Sequence, residues 1–226
     1  MNRTDELIDR LVAHDGRTGR LPPPWRRAIG WLALSLPYVA LIVLAVGPRA
    51  DLVQKMSDAR FLIEETAMFV TVLFAALAAF CAVVPGSPRR LLLLPVLPLG
   101  VWLSSLGQGC VETWLRLGPE GLSLRPDWIC LPAIMLVGAI PAIAMALMLR
   151  KGAPLFPHAA VALGGLAAAA LGNFGLRLFH TTDASLMVLV WQFGSVALLA
   201  LIAGCLGPYV HNWRKILPFS QRGSIG

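Results

Sequence analysis

The chain has 226 residues, 57% of them hydrophobic and only 14% charged, with a mean hydropathy of +0.72. A water-soluble enzyme of this size carries far more charge, so composition argues against one and for a membrane protein. Nineteen Lys+Arg against twelve Asp+Glu leave a formal +7; in a soluble chain that excess would suggest nucleic acid, but in a membrane chain it reports orientation.

In chain order, residues 4–15 predict a short amphipathic helix. Thr4 is placed to cap it, Asp5 and Glu6 favour the positive end of its dipole, and Gly16 ends it. Leu7, Ile8, Leu11 and Val12 form one apolar stripe. About twelve residues are marginal as an isolated helix in water, so the stripe needs a cover. The bilayer surface and the groove of a soluble partner both serve. The acidic first turn and the stiff Leu21-Pro22-Pro23-Pro24 spacer, which holds the helix off the bilayer, favour the partner. Trp25-Arg26-Arg27 then anchors the chain at the interface.

Six apolar stretches follow: 29–47, 66–84, 91–107, 131–149, 159–175 and 185–207. Each approaches the roughly 20 residues needed to cross about 30 Å of hydrocarbon as a helix, and none alternates like a barrel strand. The expected fold is therefore all-α: a polytopic membrane protein with six transmembrane helices and the short N-terminal helix. Its parts are a helix and Pro-rich linker (1–27), a six-helix domain (28–210) and a tail (211–226). Ala45-Val46-Gly47 resembles a signal-peptide cleavage site, but a polar segment of about 27 residues precedes the first span, which reads as an uncleaved anchor.

Sorted by alternate connections, thirteen basic and four acidic residues lie on the side of the N-terminus, against six basic and eight acidic on the other. The positive-inside rule then places both termini in the cytoplasm, in a bacterial inner membrane on the reading below. No direct nucleic-acid contact is needed to explain the charge.

Between the spans' ends there is little strong polarity beyond Asn173 and Gln192, read as interhelical hydrogen-bonding groups. Prolines 37, 95, 98, 132 and 141 read as kinks. The fifth span, nearly all Ala and Gly, predicts close helix packing at the bundle centre or against a second copy of the chain. His14, His158, His180 and His211 stand in separate polar segments, and no hydrolase, zincin or phosphate-loop motif occurs. The chain is not expected to be an enzyme or to carry a resident cofactor.

Four cysteines remain. Cys81 and Cys205 sit in apolar spans and read as small hydrophobes. Cys110 closes the expected third span and Cys130 opens the fourth, so a helical hairpin could bring them within the Cα separation of about 4.4–6.8 Å that a disulfide requires. Three readings stay open for them: a permanent disulfide, a redox-responsive pair, or thiolates for a soft metal ion, with His180 and Asp183 as further ligands.

Several segments together resemble one family. Thr4-Asp5-Glu6-Leu7-Ile8-Asp9, Pro22-Pro23-Pro24-Trp25-Arg26, Pro85-Gly86-Ser87-Pro88-Arg89, Gly109-Cys110 with Trp114, Gly118, Gly121 and Trp128, then Cys130-Leu131-Pro132, Arg150-Lys151-Gly152-Ala153-Pro154 and Leu189-Val190-Trp191 occur in the order seen in the NrsF family of membrane anti-sigma factors. The resemblance implies six spans, a cytoplasmic N-terminus that sequesters an ECF, sigma-F-like sigma factor, and outer-face cysteines that sense stress, including heavy metals. Carried over, Cys110 and Cys130 are the sensing pair, taking at most a transient heavy-metal ion. Asp5, Leu7, Ile8, Leu11 and Val12 become the sigma-factor contact. The family's last outer loop often reads His-Cys; here it is His180-Thr181, so a third outer thiol is absent. The rival from another class is a small transporter or metal-efflux accessory protein that uses the same cysteines.

Overall fold

In a computed structural model of the chain, the described residues are 21–118, 129–153, 155–180 and 185–212. Their regular structure is all helix, with no strand among the described residues, and six helices are long and apolar enough to cross a membrane: Pro24–Val46, Ala59–Cys81, Arg89–Leu117, Cys130–Leu149, Pro157–Arg177 and Val188–Cys205, called spans one to six below. The expected 4–15 helix lies outside the described residues.

Local chemistry sets the ends. Span one starts at Pro24, where a missing N–H costs nothing, and stops at Gly47, whose φ of 94° suits only glycine. Span two starts behind Asp58, whose carboxylate accepts the N–H of Arg60 at 3.0 Å. Span three begins as a 3-10 turn over Arg89–Leu93 and becomes α-helical only after Pro95, running from Val96 to Leu117. Span six carries a π-helical stretch at Val188–Phe193, continued by the α-helix Gly194–Cys205.

Two boundaries correct the sequence reading. Span two begins seven residues before the expected Thr66, and span three runs ten residues past the expected Gly107. The sequence reading keeps ionisable residues out of the spans' centres. The helices nevertheless continue through these charges: Glu64 and Glu65 meet Arg177 inside the bundle, and Arg60 pairs with Glu112 at its edge.

Span five is central, with 67% of its apolar window buried, and it packs on spans four, six, two and one. Its small residues permit this: a Cβ on Gly172 would lie 2.6 Å from the carbonyl oxygen of Ile134 and 3.1 Å from the amide nitrogen of Gly138, so the backbones of spans four and five nearly touch. Span three is peripheral. It rests on span two and on the start of span six, and only 22% of its window is buried.

Candidate functional site

Cys130 is the first residue of span four and is fully buried. Cys110 lies inside span three, seven residues before its end at Leu117, and is half-buried. At 1.5 Å per residue this sets Cys110 about 10 Å along the axis from that end. Cys110 therefore does not close its span. Nor do spans three and four form the expected hairpin: they share no extended packing, each turning instead to span two or span five. All four cysteines carry thiols. Among the described residues, no group of three or more His, Cys, Asp or Glu side chains is placed to hold a metal ion. Trp128, Asp183 and the proposed sigma-factor contacts Asp5, Leu7, Ile8, Leu11 and Val12 lie outside the described residues. His180 is described; its carbonyl accepts from Arg49 Nη1 at 3.2 Å.

The sequence reading missed a charged cluster inside the bundle, at the end where span one stops. Arg177, the last residue of span five, pairs through Nη1 with Glu64 Oε2 at 2.8 Å and through Nε with Glu65 Oε1 at 2.7 Å. All three residues are buried, and the guanidinium also stands 5.1 Å from the ring centre of Phe61. The guanidinium attracts both carboxylates and so offsets part of the cost of holding them out of water, while the three groups together keep one negative charge in excess. One turn deeper, Asn173 Nδ2 donates to Met68 Sδ at 3.2 Å, and Phe69 meets Phe174 at 5.4 Å. The interior is thus more polar than Asn173 and Gln192 alone suggested. The legible signal was the four-residue step from Asn173 to Arg177, matched by the step from Glu64 to Met68, which puts each pair on one helix face.

The cluster reaches span three. Ser105 Oγ donates to Glu64 Oε1 at 3.4 Å, so the two oxygens of one carboxylate serve spans three and five. Farther out, Arg60 Nη2 donates to Glu112 Oε2 at 2.6 Å, and Gln108 Nε2 donates to Glu112 Oε1 at 3.4 Å. On its remaining face, span three buries Trp102, Leu106 and Gly109; Trp102 meets Phe193 of the π-helical stretch edge-on at 5.5 Å.

The loop after span one is pinned nearby. Arg49 forms a two-pronged pair with Asp51, at 2.6 and 2.8 Å, and its amide donates to Leu178 O at 3.0 Å. The guanidinium holds the Asp51 carboxyl below its usual range.

At the opposite end the described charges are all basic: Arg26, Arg27, Arg89, Arg90, Arg150 and Lys151. Arg27 is buried beneath the Phe80 ring, 4.5 Å from its centre, and donates to Met148 O, while Trp31 Nε1 of the same helix donates to Pro141 O at 2.9 Å.

A family model described as NrsF, negative regulator of sigma F, matches residues 11–213. No curated protein and no solved structure matches the chain.

Proposed function

The chain belongs to the NrsF family of negative regulators of sigma F, and from that premise we propose that it sequesters an ECF-type sigma factor at the cytoplasmic face of the bacterial inner membrane and releases it when Cys110 and Cys130 meet a heavy-metal ion or an oxidant. The family match is the observation that carries the reading. It makes the chain an anti-sigma factor, and it includes Leu11, Val12, Cys110 and Cys130 within the matched span.

Orientation follows from charge. The basic end holds the chain's entry into span one, so the positive-inside rule puts it in the cytoplasm, where the sigma factor is, and puts the carboxylate-rich end outside. The apolar stripe Leu7, Ile8, Leu11 and Val12, with Asp5 beside it, is the part of the chain suited to lie in a groove of the sigma factor.

Release has a thermodynamic requirement. A ligand moves a protein between two states only by binding them unequally, and inverting a 99:1 population takes about 5.5 kcal/mol of differential binding. Soft-metal coordination by thiolates is strong enough for that, and of the two proposed sensing residues half-buried Cys110 is the more open to a reagent. Co-purification from solubilised native membranes tests the first half: the sigma factor should accompany the full-length protein. A reporter of sigma-dependent transcription tests the second. Cys110→Ser and Cys130→Ser should each abolish induction by cadmium or oxidant while preserving repression; induction that survives both substitutions would refute the sensing role.

A further inference from the structure

Cys110 and Cys130 sit on helices that do not pack along each other, so a common response needs a route between them. We propose that Glu64 and Arg177 are that route: positioning residues that join the helix of Cys110 to the helix of Cys130. This rests on reading the two cysteines as one sensing unit.

The route can be followed contact by contact. Span three is the least buried of the six, tied with span two at the charged end by two side-chain contacts, Ser105 to Glu64 and Arg60 to Glu112. Around the helix, Ser105 and Glu112 lie about 140–160° from Cys110 by the 3.6-residue repeat. The inner row of Trp102, Leu106 and Gly109 falls between those flanks. A rotation of span three that carries Cys110 one way therefore displaces Ser105 and Glu112, on nearly the opposite side of the axis, in nearly the opposite direction.

Glu64 cannot follow that motion without pulling on span five. Its Oε1 accepts from Ser105, while its Oε2 is held at 2.8 Å by Arg177, which is held in turn by Glu65 and stacked on Phe61. Buried ion pairs resist partial opening, because a half-broken pair leaves a charge out of water. From Arg177 the motion enters the central helix. One and a half turns away, Gly172 lies so close to Ile134 and Gly138 that even a methyl group has no room. Ile134 is one turn from Cys130 on span four. Displacement of span three is thus passed along spans two and five to the first turn of span four.

Thiol labelling reads this without any reference to the sigma factor. The full-length protein is prepared in membrane vesicles with Cys130 as its sole cysteine, and maleimide labelling is timed. Glu64→Gln, and separately Ser105→Ala, should each raise the rate about fivefold or more, the size of effect that a loosening of one to two kcal/mol produces. Combined, they should give no more than Glu64→Gln alone, because both cut the same route. A protein whose sole cysteine is Cys81, buried near the far end of span two, is the control and should label at an unchanged rate in all variants. An unaltered Cys130 rate in Glu64→Gln would overturn the proposal, as would an equal acceleration at Cys81, which marks general unfolding, or full additivity of the two substitutions. The sensing role itself stands or falls on the reporter response of the Cys→Ser variants, so the two failures are distinguishable.

Discussion

The contact of spans four and five and the contact of span three with span two use opposite materials. The first is made by absent side chains: Gly138 and Gly172 let two backbones approach, and van der Waals contact does the rest. The second is made by charge and hydroxyl groups, Ser105 to Glu64 and Glu112 to Arg60, on a helix that is otherwise mostly uncovered. A surface of glycines has one good geometry and no adjustable bond. The polar ties of span three are few and sit on a little-buried helix, so they pull on their partners when it shifts. The contrast assigns rigidity to the centre of the bundle and mobility to its third span, which carries Cys110, less buried than Cys130.

The largest effect should come from removing the charge that the two regions share. Arg177→Met leaves Glu64 and Glu65 buried without their cation, and breaking a buried pair in this way costs about 3–5 kcal/mol. Unfolding of the purified protein in mixed detergent should show that loss, and adding Glu64→Gln and Glu65→Gln should recover most of it. Gly172→Ala should follow at about 1–3 kcal/mol, because the added methyl meets backbone atoms that no rotamer change can move. Equal tolerance of alanine at Gly172 and at Gly100, where a Cβ meets nothing, would break the comparison.

Glu112→Gln should have a smaller effect on stability, since the Arg60 pair is over a third exposed and water screens it. It should nevertheless quicken labelling of Cys110, the signature of a mobile helix losing a tie. The smallest effect belongs to Asp51→Asn. The folded-state pKa of Asp51 is depressed by Arg49, so its contribution is complete above the unfolded carboxylate pKa and is lost as pH falls through the lower folded value. Protection of the Arg49 amide, taken relative to the intrinsic exchange rate at each pH, should therefore fall only in acid, and the substitution should abolish that acid step.

Six helices, their order and the central place of span five were legible because hydropathy and small-residue spacing are local properties. The interior charges were not. Arg177 stands more than a hundred residues from Glu64 and Glu65, and a rule that keeps ionisable residues out of spans places each of them in a loop. Their pairing with Arg177, a tertiary fact, lets span two carry Glu64 and Glu65 inside the bundle. The same rule put Cys110 at the end of its span. The N-terminal stripe and Asp5 were read from sequence and lie outside the described residues, so the proposed sigma-factor contact rests on pattern, with only Leu11 and Val12 inside the family match.

That contact bears the central claim and can be tested directly. Deletion of residues 1–16, with the remaining protein kept at its normal level in the membrane, should raise sigma-dependent transcription to that of a strain lacking the protein altogether. Repression that persists at the full-length level would contradict sequestration by this segment.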